Sequence, residues 1–93
     1  SCLFFGNQNL VYKWAYNQSE IPSTPFITLP DGEVVKCMNQ SADHKQLYIA
    51  TYNSQRAGLK GSLYIYNSDT GKAIGKPYEG VADEPVKVMY KVK

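Results

Sequence analysis

A short pattern that recurs after 51 residues limits the fold of this chain more than any other feature. The segment Val35-Lys36-Cys37-Met38 aligns with Val86-Lys87-Val88-Met89 at that offset. A second pair, Tyr16-Asn17 and Tyr66-Asn67, aligns at an offset of 50. Two anchors at nearly equal offsets predict a structural repeat of about 50 residues.

Apolar and polar side chains alternate with a period of two along most of the chain, which favours β-strands. The segments QLYIATYN and SLYIYN show the alternation most clearly. Polar turns such as LPDGE and NSDTGK separate the strands. No stretch of ten or more residues keeps helical spacing without a breaker. We predict strands at 2–6, 9–17, 25–29, 33–39, 46–53, 62–67, 73–78 and 85–92.

A repeat of about 50 residues with four strands is typical of a β-propeller blade. Such a unit has two faces and buries both only against neighbouring units. The sequence therefore predicts an all-β fold of antiparallel, four-stranded, propeller-type blades, about two blades' worth. We expect a partial blade over 1–32, a blade over 33–80 and the start of the next blade over 81–93. The repeat also requires Val35 and Val86 to occupy similar environments.

Propellers usually have four to eight blades, so about two blades cannot close a ring. The chain is then either a fragment of a larger propeller or a chain that oligomerises. A smaller sandwich or barrel is the remaining alternative. The expected partners are accordingly the rest of a longer chain or copies of the same chain.

Composition and motifs exclude several functions. The net charge of +2 comes with dispersed lysines, which does not favour nucleic-acid binding. No run approaches the roughly 20 apolar residues of a membrane span.

Cys2 and Cys37 make no disulfide framework, and whether they pair stays open. No nucleophile elbow, phosphate loop or metal-ligand spacing occurs, so we expect no enzyme activity, cofactor or metal. Asp43 and His44 are adjacent, but a polar turn explains them.

The second copy resembles a known group of blades through its LYIATYN strand, its GSLYIYNSDTGK hairpin and its final VMYK strand. Over residues 41–91 it is similar to the carboxy-terminal propeller blades of exported Bacteroidetes lipoproteins of the PKD-like kind. The resemblance implies a periplasmic or cell-surface location and a binding or scaffold role near glycan-uptake systems. It transfers no functional residue.

Aromatic residues are the candidate ligand surface. The sequence predicts that Trp14, Tyr16, Tyr64 and Tyr66 lie at matching places in the two copies, with each pair sharing one strand face. Ring faces with polar rims suit sugar rings, while packing between blades is the alternative role.

The predicted function is a non-catalytic binding or scaffold module of an exported bacterial protein, with a glycan or a protein as partner. One alternative is a short-chain lectin that closes a propeller by oligomerising. Another is a non-catalytic part of a larger enzyme.

Overall fold

The computed structural model describes residues 2–89, which form seven strands and no helix. The strands are β1 (Cys2–Asn7), β2 (Leu10–Ala15), β3 (Ile27–Thr28), β4 (Val34–Gln40), β5 (Gln46–Tyr52), β6 (Gly61–Asn67) and β7 (Tyr78–Ala82). They build a three-stranded first sheet, β1-β2-β3, and a four-stranded second sheet, β4-β5-β6-β7. All pairs are antiparallel, and each strand pairs with the next in sequence. The prediction of an all-β, antiparallel fold is confirmed.

Each sheet contains an antiparallel pair of consecutive strands, β1–β2 in the first sheet and β5–β6 in the second. Asn7 lies opposite Leu10 next to the first connection, and Tyr52 lies opposite Gly61 next to the second. When these two pairs are aligned, the offset is 45 residues from β1 to β5 and 51 residues from β2 to β6. The offsets differ because the connection between β5 and β6 is longer than the two-residue turn between β1 and β2. The second sheet has one strand more than the first, because β4 pairs with the edge of β5 that faces away from β6.

One apolar core joins the two sheets. The first sheet and the residue that follows β3 provide Val11, Ile27 and Leu29, and the second sheet provides Leu47, Ile49 and Tyr64. Each such aliphatic side chain stabilises the fold by about 1.5–3 kcal/mol when it is fully buried. The sheets therefore depend on each other for much of their stability.

Strand β4 approaches β1 very closely at Gly6. A methyl group added at Gly6 would lie 2.6 Å from Cγ1 of Val35. The backbone amide of Val35 also donates a hydrogen bond to the carbonyl oxygen of Gln8 at 2.8 Å. The missing side chain at Gly6 is what allows the two sheets to come this close.

Two predicted strands differ from the structure. The strand expected at 73–78 lies at Tyr78–Ala82 instead, and only Ala73 makes an isolated bridge, to Tyr66. Gly75 has a positive φ of 69°, and Pro77 has no amide hydrogen, so this stretch does not continue a ladder. Of the strand expected at 85–92, residues 85–89 form none, and 90–92 lie outside the described residues.

The expectation of similar environments for Val35 and Val86 is wrong in this structure. Val35 packs against the core, while Val86 is 85% exposed. Strand β4 pairs with β5, which follows it in sequence. No strand follows residues 85–89 within the described part of the chain, so Val86 has nothing comparable to pack against.

Cys2 and Cys37 are both free thiols in the described chain. Between residues 2 and 89, no helix is long and apolar enough to cross a lipid bilayer.

Candidate functional site

A cleft of about 510 Å³ lies between the first sheet and two turns of the second. Strands β1 and β2 and the residue after β2 contribute one wall, with Cys2, Phe4, Lys13 and Tyr16. The other wall comes from the end of β4, the β4–β5 connection and the turn after β6, with Gln40, His44, Ser68 and Asp69. The volume falls within the range typical of small-molecule sites.

Lys13 bridges the two walls of this cleft. Its Nζ donates a hydrogen bond of 2.7 Å to the carbonyl oxygen of Ser68. The same ammonium lies 4.9 Å from the ring centroid of Phe26 and 5.7 Å from that of Phe4. Cation–π attraction of this kind contributes about 0.5–1 kcal/mol at exposed sites. Lys13 thus places a fixed positive charge in the cleft and links β2 to the second sheet.

The turn that carries His44 is held by its own side chains. The Asp43 carboxylate accepts hydrogen bonds from Oγ of Ser41 at 2.6 Å and from the amide of Lys45 at 3.0 Å. The Ser41 hydroxyl, followed by the Lys45 amide, lowers the pKa of Asp43 below its ordinary value. His44 has a positive φ of 62°, and its Nδ1 lies 3.5 Å from Oε1 of Gln40. These contacts are those of a polar turn.

The four aromatic residues proposed from the sequence lie in different surroundings. Tyr16 lines the cleft and is 63% exposed, while Trp14 is half-buried and its Nε1 donates to the carbonyl oxygen of Gln18 at 3.3 Å. Tyr64 belongs to the core and is 6% exposed, and Tyr66 packs against that core. The rings of Tyr64 and Tyr66 are stacked with centroids 6.5 Å apart. Packing accounts for Tyr64 and Tyr66, and Tyr16 faces the cleft.

The match of Trp14 with Tyr64 and of Tyr16 with Tyr66 stays a prediction. The hydrogen-bonded ladders pair β1 with β2 and β5 with β6, each within one sheet, so they do not align one sheet with the other.

A second polar cluster surrounds Glu33 and was not found from the sequence. The buried Glu33 carboxylate accepts hydrogen bonds from Oγ1 of Thr51 at 2.6 Å, Nδ2 of Asn53 at 2.7 Å and Nη2 of Arg56 at 2.7 Å. Burial alone raises the pKa of Glu33, but these three donors outweigh it and hold the pKa below its ordinary value. The cluster anchors the connection between β5 and β6. Arg56, the sole arginine, was the available sequence signal.

Arg56 also extends this cluster to β7. Its Nη2 lies 3.3 Å from Oε2 of Glu79, and its Nη1 donates to the carbonyl oxygen of Lys60 at 3.2 Å. The carboxylates of Glu33 and Glu79 and the carbonyl oxygen of Lys60 all contact the Arg56 guanidinium. We therefore assign this cluster a structural role and take the cleft as the candidate site.

Within residues 2–89, no group of three or more His, Cys, Asp or Glu side chains could hold a metal ion. Comparisons with protein-family models, with curated proteins and with solved structures gave no match.

Proposed function

We propose that this chain is a non-catalytic binding or scaffold module made of propeller-type blades. The second sheet is a four-stranded antiparallel meander, as such a blade is. The first sheet is a three-stranded antiparallel meander. Repeated units that pack through one shared core are what a blade architecture requires.

The ligand class that suits the cleft is a carbohydrate. The observation that carries this proposal is the exposed ring of Tyr16 at a cleft of about 510 Å³. Polar side chains of Gln40, His44 and Asp69 line the opposite wall. A sugar ring binds by packing its apolar face on an aromatic ring and by hydrogen bonds from its hydroxyl groups. A periplasmic or cell-surface location follows from the sequence resemblance and stays a prediction.

A titration with monosaccharides and short oligosaccharides, followed by amide NMR, tests the carbohydrate proposal. We expect a sugar of the panel to shift the resonances of Tyr16, Gln40 and His44 at millimolar concentration. Tyr16→Ala should weaken this binding at least tenfold, roughly the effect of losing one aromatic contact. Tyr78→Ala is the matched control, because Tyr78 is an exposed tyrosine on β7 and does not line the cleft. If no sugar shifts these resonances, carbohydrate binding is contradicted.

A further inference from the structure

One edge of β1 has no paired strand among residues 2–89, whereas the second sheet has a strand at the corresponding edge. Within residues 2–89, β1 pairs with β2 and with no other strand. Its counterpart β5 pairs with β6 on one side and with β4 on the other. An exposed strand edge presents unpaired amide and carbonyl groups, which is a template for another strand.

Residues 85–89 carry the sequence that would fill this place. They repeat Val34–Met38 of β4 at the offset of 51 that relates β2 to β6, and they keep its valine, lysine and methionine. They form no strand in this structure, and Val86 and Met89 are 85% and 75% exposed. Residues 85–89 therefore resemble β4 in sequence but pair with no strand in this structure. Strand β1 corresponds to β5 but lacks a partner like β4.

The segment of the same molecule lies on the wrong side of β4 to reach this edge. Val35 and Met38 of β4 pack against the core, and Val35 contacts Gly6 of β1. Lys36 and Asn39 reach the other way: Nζ of Lys36 lies 3.2 Å from Oε2 of Glu84, and Nδ2 of Asn39 donates to the carbonyl oxygen of Val88 at 3.0 Å. Strand β4 thus lies between the segment and β1 of the same molecule.

We propose that residues 85–89 of one copy pair antiparallel with β1 of a second copy and complete its first sheet to four strands. The register follows from β4 and β5, where Met38 lies opposite Ile49 and Cys37 opposite Ala50. Carried over by the two offsets, Met89 lies opposite Phe4 and Val88 opposite Phe5. Donor and acceptor are different surfaces, so the contact is head-to-tail and generates a ring or a filament.

Thiol cross-linking tests this register. In a Cys2→Ser, Cys37→Ala background, the Phe5→Cys protein is mixed with an equal amount of the Val88→Cys protein, whose mass is changed by isotope labelling. A short bifunctional thiol reagent should link residue 5 of one copy to residue 88 of the other. A Val81→Cys protein replaces the Val88→Cys protein in the control, because Val81 is an exposed valine on β7. We expect at least tenfold more 5–88 product than 5–81 product.

The oligomeric state of the unmodified chain provides the second measurement. Light scattering after gel filtration should give a mass that rises with concentration, and Val88→Pro should reduce this association because it removes a ladder amide. Equal yields of the two cross-links, or a monomer at every concentration up to millimolar, would overturn the proposal.

The inference rests on the proposed blade architecture but not on carbohydrate binding. If the 5–88 cross-link forms and no sugar shifts a resonance, strand pairing between copies is supported and carbohydrate binding is contradicted. The opposite result rejects the strand exchange and retains the ligand.

Discussion

Glu33 is the one charged side chain that is buried among residues 2–89. Its carboxylate is 2% exposed and accepts hydrogen bonds from Thr51, Asn53 and Arg56. These donors come from β5 and from the connection that follows it, so one side chain fixes the path of the chain between β5 and β6. A buried charge of this kind stabilises a fold only while its partners remain in place.

Replacing Glu33 with glutamine should lower the free energy of unfolding by about 2–3 kcal/mol at pH 7, because the amide group of the new side chain faces a donor that it cannot satisfy. Urea unfolding measures the difference. Glu79→Gln is the matched control, since Glu79 contacts the same Arg56 but is 60% exposed, and it should cost less than about 1 kcal/mol. Similar losses in the two variants would contradict the structural role of Glu33.

The original protein and Glu33→Gln should also differ in how their stability responds to acid. The pKa of Glu33 lies below its ordinary value in the folded protein, whereas an unfolded chain has a glutamate pKa of about 4.3. The stabilisation is therefore complete above that pH and is lost as the pH falls through the folded-state pKa. We expect the stability difference between the original protein and Glu33→Gln to shrink with acidification. A constant difference between pH 7 and pH 2 would be the contrary result.

At the scale of strands, alternation in the sequence located β1, β2, β4, β5 and β6 to within one or two residues at each end. This worked because successive side chains on a strand point to opposite faces, as in β5, where Leu47 and Ile49 share one face and both belong to the core. It failed at β7, where Gly75 and Pro77 interrupt the chain, and where the structured residues come later than the repeat suggested.

The candidate site was harder to predict than the strands. Tyr16 was named from the sequence, but Lys13, Gln40, His44, Ser68 and Asp69 enter the cleft only because two sheets meet there. The offset between the copies was also uncertain by one residue, and that residue decides which face of a strand a side chain occupies. The hydrogen-bonded ladders do not decide it, since each pairs strands within one sheet.

The close contact between β1 and β4 predicts the effect of replacing Gly6 with alanine. Gly→Ala in a strand normally stabilises a protein slightly, since glycine weakens strand interiors. At Gly6 we expect the opposite, a loss of about 1–3 kcal/mol, because the added methyl group meets Cβ of Val35 at 2.8 Å as well as its Cγ1. The control is Asn7→Ala at the next, exposed position of β1, which should change the free energy of unfolding by less than about 0.5 kcal/mol. An unchanged or higher stability of Gly6→Ala would contradict the close approach.

The whole molecule has two sheets but one core, and this determines how it should unfold. Three members of the buried cluster come from the first sheet and its following residue, and three come from the second. Lys13 adds a direct hydrogen bond between β2 and the turn after β6. Neither sheet retains a covered apolar face when the other is removed, so partial unfolding exposes much of the core.

We therefore expect a single cooperative transition, as most small domains show. Trp14, the sole tryptophan, reports on the first sheet by fluorescence, and the amide resonance of Ile49 reports on the second. Leu29→Ala removes a side chain that is buried on the first-sheet side and should cost about 2–5 kcal/mol. If the core is shared, this variant shifts the urea midpoints of both probes equally, although residue 29 lies outside the second sheet. A midpoint that moves for Trp14 and stays in place for Ile49 would mean that the two sheets are independent units, and the repeat would then be two separate folds instead of adjacent blades.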